Sequence, residues 1–275
     1  MDFGQWAGAM SRWARTGRHD VVLLDSVHST NRLGLEILQR AGGNSVEAWI
    51  FALEQHQSRG RFDRSWSSPR GCGVYASRIL SVPLEVLDIL PMVLGVALCE
   101  GLSGLGFDCR LKWPNDIELD GAKVGGILLQ SRSSGDVARV VAGLGVNHSH
   151  ALADLPWGRA TSLALAQGAD LPSLVQLSIV LADAVEAELE RQRDFSAWSA
   201  EGVMERYREW CRHRPGELLE ITIGDVVHRG EFVGFSKCGH LRLRTTGKEM
   251  LLAAGEVTLG RAGDRRRRAE PGEAP

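Results

Sequence analysis

The order of apolar runs along the chain is the feature that most restricts its fold. Patterns typical of helices fall between or after these runs, with Ser29 or Thr30 as a cap for the first. The runs predicted as strands are Val21–Asp25, Ala48–Leu53, Gly73–Leu80, Cys109–Trp113, Val124–Gln130 and Val137–Val146. The predicted helices are Asn31–Arg40, Val86–Leu102, Ser173–Gln192 and Glu201–Trp210. The main part of the chain is therefore expected to combine strands with interleaved helices.

The pattern changes after Pro215–Gly216. Short alternating runs divided by glycine turns follow (LLEITIG, VVHRGEFVGFS, HLRLRTT and EMLLAAG), which is typical of a small antiparallel β unit of about 50 residues. The end of the chain, GDRRRRAEPGEAP, is polar and reads as disordered. We therefore expect a short N-terminal extension at 1–20, a main domain at 21–211, a small β domain at 212–262 and a disordered tail at 263–275.

Composition narrows the class of protein. The formal net charge of -2 gives no global argument for nucleic-acid binding, and the Arg265–Arg268 run is predicted to be solvated. The five cysteines are odd in number and form no CxxC pair, which favours a reducing compartment, the cytoplasm, over disulfides or a zinc site. No run of about 18 apolar residues and no signal-peptide core occurs, so neither a membrane span nor secretion is expected.

The segment Ser58–Gly73, SRGRFDRSWSSPRGCG, places four arginines on a backbone rich in glycine and proline. Arginine offers a fixed fork of donors for phosphate and carboxylate, and glycine lets a backbone fold tightly over a ligand. In an extended loop, Arg59 and Arg61 would point the same way. Such a loop suits two anions that must approach each other, such as a carboxylate attacking the α-phosphate of a nucleotide. Taken alone, the segment is equally compatible with an exposed turn carrying solvated arginines.

Other chemistry in this region is excluded or disfavoured by the sequence. No GxxxxGK[ST] occurs, so there is no Walker A loop. Gly71–Ala76 fits GxGxxG/A but runs into a β-like segment rather than a helix, so a dinucleotide fingerprint is rejected. Cys72 is interpreted as a small filler residue, because no histidine is placed to activate it. His148 and His150 are interpreted as parts of a surface loop rather than metal ligands.

A second cluster lies in Leu111–Gln130, LKWPNDIELDGAKVGGILLQ. Asp120–Gly121 is a two-residue hairpin turn signal, and the hairpin would return Lys123 beside Asn115 and Asp116. A lysine at the edge of a small and apolar run is a plausible stabiliser of a developing oxyanion or phosphate charge. A third segment, VAGLGVNH, ends in Asn147 and His148, and the Asn147 amide can serve a base edge or a metal-bound phosphate.

Together these segments resemble the biotin protein ligases, from about Asp25 to Leu259. DSVHSTN resembles the family's Ser-Thr-Asn segment, and EQHQSRGRFDRSWSSPRGCGVYAS resembles its GRGRxGRxW-SPxGxG loop. KWPNDI followed by Lys123 and GGILLQS is the strongest match, and GLGVN and EVTLGR complete it. The resemblance implies a mixed α+β fold: a catalytic domain related to class II aminoacyl-tRNA synthetases, with a central mixed β-sheet flanked by helices, and a small C-terminal SH3-like β-barrel.

The resemblance also implies a two-step reaction. Biotin and ATP, with magnesium, give biotinyl-AMP and pyrophosphate, and the biotinyl group then passes to a lysine of a biotin carboxyl carrier protein domain, as in acetyl-CoA carboxylase. Only about 20 residues precede Val21, so a monofunctional ligase without a DNA-binding domain is expected, as a monomer or homodimer with no membrane partner. A lipoate or octanoate ligase of the same fold is the alternative, and a non-catalytic biotin-responsive regulator is a further one.

The family's functional residues carry over onto matching positions. Lys123 would contact the biotin carboxylate and stabilise charge during adenylation, and Asp116 would lie near the incoming carrier lysine. The implied catalytic residues are Lys123, Arg59, Arg61 and Asp116. The implied biotin-binding residues are Ser29, Thr30, Asn31, Gln55, Arg59, Gly60, Arg61, Lys123 and Gly126. The implied ATP and adenylate residues are Arg61, Arg64, Trp66, Lys112, Asn115 and Asn147, and Asn147 would also serve magnesium through the phosphates.

The sequence departs from the family pattern in Ser58–Gly73, which we call the arginine loop. Ser58 stands where glycine is usual, and Phe62 and Asp63 stand where arginine or another residue and then glycine are common. Aspartate tolerates left-handed backbone better than most residues, so we expect the turn to survive with Asp63 in it. Arg261 lies one place beyond the barrel arginine of some members. Near the N-terminus, Trp6 and Trp13 predict a short helix packed on the main domain.

Overall fold

The computed structural model describes residues 1–155, 160–167, 170–192, 200–253 and 255–259, and these form both helices and strands. The predicted tail, with Arg265–Arg268 and Arg261, lies outside them. The helices are α1 (Phe3–Gly17), α2 (Thr30–Arg40), α3 (Leu90–Gly104), α4 (Leu163–Gln167), α5 (Leu174–Arg191) and α6 (Ala200–Trp210). The strands are β1 (Val21–Leu24), β2 (Ala48–Ala52), β3 (Gly73–Pro83), β4 (Cys109–Lys112), β5 (Asp116–Leu119), β6 (Ala122–Ser134), β7 (Val137–Asn147), β8 (Leu218–Ile223), β9 (Val226–Phe235), β10 (Leu241–Thr245), β11 (Lys248–Leu252) and β12 (Glu256–Leu259).

The chain divides into two compact units. The first comprises Met1–Arg212 with Lys237–Gly239, and the second comprises His213–Ser236 with the described residues from His240 onward. None of the described helices combines the length and the apolar composition that crossing a membrane requires.

The first unit is built on a seven-stranded sheet in the order β1-β2-β3-β7-β6-β5-β4. Strands β1 and β2 are parallel and the other neighbours are antiparallel, so the sheet is mixed. Strands β3 and β7 pair along their whole length, from Gly73 opposite Asn147 to Pro83 opposite Val137. This register brings the start of β3, just after the arginine loop, beside the end of β7.

Helices cover both faces of this sheet. Successive strand residues point to opposite faces, and every residue of β2 is buried. Ile50 packs in a core cluster with Leu38 of α2. On the other face, the Trp49 indole lies against Trp13 of α1 and donates a hydrogen bond to Glu186 of α5 at 2.7 Å. The all-apolar pattern of β2 follows from this burial on both sides.

The N-terminal helix predicted from the two tryptophans is confirmed. Asp2 caps α1 by accepting a hydrogen bond from the Gln5 amide at 2.9 Å, and Trp6 and Trp13 are buried. The Trp13 indole donates to Asp183 of α5 at 2.6 Å. Residues before β1 are therefore part of the first unit's core.

The other predicted elements agree with the structure apart from their ends. Helix α3 begins at Leu90 rather than Val86, because Leu84–Val86 form a 3-10 turn before Pro91 opens the helix. The sequence did not predict β5 as a separate strand. It is only four residues long, and it forms the first arm of the hairpin whose turn was predicted.

The second unit is a five-stranded antiparallel sheet in the order β11-β10-β9-β8-β12. Its buried side chains come from alternate positions of the strands, as the alternating pattern predicted. They include Leu219, Ile221, Phe232, Leu241 and Leu243. This architecture agrees with the SH3-like unit that the family resemblance implied.

Candidate active site

The base of the arginine loop is closed by hydrogen bonds between Ser58 and Trp66. The Trp66 amide donates to the Ser58 carbonyl at 3.1 Å, and the Ser58 hydroxyl donates to the Trp66 carbonyl at 2.6 Å. Arg59 and Ser65 form an antiparallel bridge just above. The loop is thus a short hairpin, and its arginines project from a hydrogen-bonded frame.

The tip of the loop is a 3-10 turn at Arg61–Asp63, so the extended conformation considered from the sequence is not adopted at Arg61. Phe62 takes the left-handed conformation, with φ 55°. The turn closes with a hydrogen bond from the Arg64 amide to the Arg61 carbonyl at 3.3 Å. Phe62 is 57% exposed, and the Arg61 guanidinium lies 4.9 Å from its ring centre.

Trp66 lies against a part of the sheet that carries no side chains. Gly126 of β6 pairs with Gly145 of β7. A Cβ atom added at Gly145 would lie 2.9 Å from the indole, and one at Gly126 would lie 3.4 Å from it. Only residues without side chains let the indole approach the sheet this closely, which explains Gly126 of GGILLQ and Gly145 of GLGVN.

The predicted hairpin is confirmed, and it brings Lys123 to Asp116. Asp120 and Gly121 have φ 52° and 76°, as a two-residue turn with left-handed central residues requires. The Lys123 ammonium lies 2.5 Å from an Asp116 carboxylate oxygen and 5.3 Å from the centre of a Trp66 ring. Both charged side chains are partly buried, so their attraction is screened less than that of a surface pair.

Asn115 connects the hairpin to the arginine loop. Its amide group donates to the Ile127 carbonyl at 2.6 Å, and its Oδ1 accepts from Arg61 at 3.2 Å. The Trp113–Pro114 peptide that precedes it is cis. This hydrogen bond holds Arg61 at Asn115, the residue just before β5.

Two further residues assigned to ATP lie in different surroundings. The Lys112 ammonium is 3.8 Å from the carboxylate of buried Glu118. Asn147, at the end of β7, is buried and donates through Nδ2 to the Thr161 carbonyl at 2.9 Å. This bond fixes which way the Asn147 amide faces and leaves Oδ1 as its accepting end.

Thr30 and Gln55 form a buried polar contact behind the loop. Gln55 Oε1 accepts from the Thr30 amide at 2.9 Å and lies 3.2 Å from the Thr30 hydroxyl. Asn31 is held by Ser77, which donates to its Oδ1 at 2.6 Å, and it covers Gly143 so closely that a Cβ there would be 2.3 Å away. These residues order the start of α2, where Ser29 is the N-cap.

A cavity of about 650 Å³ lies between the start of α2, the arginine loop and β6. Five of the residues predicted to bind biotin line it: Ser29, Asn31, Arg59, Gly60 and Arg61. Thr30, Gln55, Lys123 and Gly126 do not line it. The lining residues that sequence reasoning missed are Arg32, Leu35, Gln57, Phe62, Leu128 and Gln130.

Two of the cavity-lining residues that were missed, Leu128 and Gln130, could have been predicted from the alternation of side chains along β6. Residues two apart on a strand share a face, so Gly126, Leu128 and Gln130 of β6 face the same way. Leu128 and Gln130 line the cavity and Gly126 faces Trp66. Once Gly126 had been assigned to the site, alternation alone would have added the other two.

The interpretation of His148 and His150 as surface-loop residues is wrong. Both are buried: His148 Nε2 is 2.8 Å from the Pro172 carbonyl, and His150 Nε2 is 3.2 Å from the Tyr75 hydroxyl. Burial lowers the pKa of His150, against smaller opposing effects from the Ser67 carbonyl and Asp154. The two histidines brace the ends of β3 and β7.

Comparisons with known proteins identify the family. Residues 23–147 match the biotin/lipoate A/B protein ligase family. The biotin–[acetyl-CoA-carboxylase] ligase of Paracoccus denitrificans is 33% identical over 244 residues, which cover 84% of this chain and 98% of that protein. The chain belongs to this family.

Other relatives agree with this assignment. The bifunctional ligase/repressor BirA of Escherichia coli is 29% identical over 249 residues, covering 87% of this chain and 74% of that protein. The structure of biotin protein ligase from Aquifex aeolicus in complex with biotin and ATP matches with a TM-score of 0.69 at 27% identity, over 88% of this chain and 99% of that one. The resemblance to the biotin protein ligases and the mixed α+β fold are thus confirmed.

Proposed function

We propose that this chain is an ATP-dependent biotin–protein ligase of the biotin–[acetyl-CoA-carboxylase] type. The observation that carries the proposal is the position of Arg61. It lines the cavity and also donates to Asn115, beside the Lys123 hairpin. An acid in the cavity and a phosphate near the hairpin would therefore share one cation between them.

The cavity suits a substrate with a polar head and an aliphatic chain. Leu35, Leu128 and Phe62 supply apolar wall, and Ser29, Asn31, Gln57 and Gln130 supply amide and hydroxyl groups. Biotin has a ureido ring and a valerate chain with a terminal carboxylate, which matches these two kinds of surface. Thr30 and Gln55 are proposed to support biotin binding by fixing the start of α2.

Adenylation requires two anions to meet. A biotin carboxylate oxygen attacks the α-phosphorus of ATP, the bond to the β-phosphate oxygen breaks, and pyrophosphate leaves with the electron pair. Repulsion between unit charges at about 4 Å costs roughly 4 kcal/mol at an intermediate dielectric. We assign its compensation to Arg59, Arg61 and Lys123, with Gly60 allowing close approach of the loop to biotin.

The nucleotide side of the site is proposed from the residues around Trp66. The indole and the glycine pair beneath it form one wall, and Arg64 and Lys112 supply positive charge to the phosphates. Asn115 would orient Arg61 toward them. Asn147 Oδ1 fits a hard cation, which prefers oxygen ligands and is commonly held in part by nucleotide phosphates. Magnesium bound there would neutralise phosphate charge.

Transfer consumes the adenylate. The unprotonated amine of a carrier lysine attacks the acyl carbon, the bond from that carbon to the phosphate oxygen breaks, and AMP leaves. The amine then loses a proton. Asp116 is proposed to orient Lys123, its partner at 2.5 Å, and to lie near the incoming amine. The loop would keep water from the mixed anhydride until then.

The proposed protein substrate is a biotin carboxyl carrier domain, and the proposed location is the cytoplasm, as the cysteine pattern predicts. The chain is proposed to act as a monomer or homodimer.

The test is ATP–pyrophosphate exchange by the purified chain with biotin, lipoate or octanoate as the only acid. Exchange with biotin alone is expected. Exchange with lipoate or octanoate alone would keep the fold and overturn the substrate, and exchange with none would overturn adenylation. Transfer is then measured on a purified carrier domain, with its acceptor lysine changed to arginine as the control.

A further inference from the structure

The Ser58 hydroxyl makes two hydrogen bonds at the base of the arginine loop. It is buried, with 8% of its surface exposed. Its hydroxyl lies 2.6 Å from the Trp66 carbonyl and 2.9 Å from the Ser68 hydroxyl. A carbonyl oxygen only accepts, so the single Ser58 proton goes to Trp66 and Ser68 must donate to Ser58. The direction of both bonds is therefore fixed.

The same chain of hydrogen bonds continues to the wall of the cavity. With its proton given to Ser58, the Ser68 hydroxyl accepts from Gln55 Nε2 at 3.1 Å. Gln55 Oε1 in turn accepts from the Thr30 amide at 2.9 Å. Thr30 is the first residue of α2, next to the cavity-lining Ser29 and Asn31. The base of the loop and the wall of the cavity are thus connected by side chains whose donors and acceptors are mutually consistent.

We propose that Ser58 is a positioning residue that latches the arginine loop in its folded form before any substrate binds. This inference rests on the proposed ligase function for its effect on biotin, but the latch itself concerns the free protein. Glycine at this position has no hydroxyl and a freer backbone, so a loop with glycine there lacks the bond to Trp66 and the link to Ser68.

Loss of the Ser58 hydrogen bonds should affect the binding of biotin more than the turnover number. If the folded loop is the binding-competent state, the apparent dissociation constant rises in inverse proportion to its population. Losing one buried hydrogen bond typically shifts such an equilibrium about tenfold. Saturating biotin and ATP would restore the folded loop, so the turnover number at saturation should change little, while the KM for biotin rises.

The test is limited proteolysis of the full chain by trypsin without ligands, because the loop itself carries Arg59, Arg61 and Arg64. We expect Ser58→Ala and Ser58→Gly to be cut within the loop about ten times faster than the natural chain, and Ser58→Thr, which keeps the hydroxyl, to be cut more slowly than both. Ser65→Ala is the matched control, since this serine lies in the same loop and contributes its backbone to the bridge. Cleavage sites are assigned by mass spectrometry, and thermal unfolding confirms that each variant is folded.

Equal cleavage of the natural chain, Ser58→Ala and Ser58→Gly would overturn the latch, whatever the ligase assay gives. Faster cleavage of Ser65→Ala as well would also overturn it, since any change in the loop would then suffice. Biotin titrations follow on the same proteins: a KM for biotin raised by up to about fivefold with an unchanged turnover number supports the role in binding, because a tenfold shift from a mostly folded loop leaves a sizeable folded fraction. If the natural chain shows no exchange with biotin, the proposed function fails, and the proteolysis result still decides the latch.

Discussion

Replacing Lys123 by alanine should separate the chemistry of the site from its stability. The lysine ammonium is 2.5 Å from Asp116 and 5.3 Å from the Trp66 ring centre, and its proposed role is to share charge with a bound carboxylate. Losing one preorganised charge stabiliser costs about 10²–10³-fold in rate, or roughly 3–4 kcal/mol. The ion pair itself is partly exposed, and pairs of that kind contribute only about 1 kcal/mol or less to folding.

The assay is single-turnover formation of biotinyl-AMP at saturating biotin and ATP, with the melting temperature measured in parallel. Lys123→Ala should lose two to three orders of magnitude in rate and only a few degrees in melting temperature. Lys248→Ala, an exposed lysine on β11, is the control and should match the natural chain. A Lys123→Ala rate within about threefold of the natural one would remove Lys123 from the mechanism.

The proposed role of Asp116 is tested by combining the changes. If Asp116 acts on adenylation only by orienting Lys123, Asp116→Asn should slow the natural chain but hardly change a chain that already carries Lys123→Ala. Fully additive losses would mean that Asp116 acts on the reaction independently.

Three other changes have expected outcomes. Arg61→Gly should release adenylate about tenfold faster or more, because a hydrogen bond from a charged donor is lost; labelling of bulk lysines measures this, and labelling confined to the carrier would argue against it. Gly145→Ala should raise the KM for ATP several-fold by pushing a Cβ to 2.9 Å from Trp66, whereas Gly43→Ala, with open space around its Cβ, should not; equal kinetics would show that the indole does not need the glycine. His150→Gln should flatten the pH dependence of stability. The pKa of His150 is lowered in the fold, so the unfolded chain binds the extra proton below about pH 6.5. The free energy of unfolding therefore decreases as the pH is lowered, by up to about 1.4 kcal/mol per pH unit. Melting curves from pH 7.5 to 5.5 with the same slope for both proteins would refute this.

Features encoded by neighbouring residues could be predicted from the sequence. The Asp120–Gly121 turn joins β5 and β6 in a hairpin that brings the Lys123 ammonium to Asp116, although the ladder pairs Lys123 with Glu118 and shifts between Ile117 and Glu118. Rejection of a dinucleotide fingerprint at Gly71–Ala76 also held, since Gly73 begins a strand rather than a helix. In both cases the deciding interactions span only a few residues.

Features that depend on distant pairing could not be read in this way. Asn31 was assigned to biotin on resemblance alone, and its contact with Gly143 requires the packing of α2 on β7. His148 and His150 were taken for surface residues because nothing nearby shows that Pro172 and Tyr75 enclose them. The left-handed conformation of Phe62 was not predicted from the sequence.

The Asp116–Lys123 hairpin has a consequence for how such a site changes over time. Its two charged groups lie within eight consecutive residues and meet through a local turn. The walls of the cavity come mostly from α2 and the arginine loop, with Leu128 and Gln130 from the part of β6 beyond the hairpin turn. Substitutions in those walls can therefore alter which acid is accepted while the hairpin is inherited intact, so that substrate choice and charge handling can diverge separately within one fold.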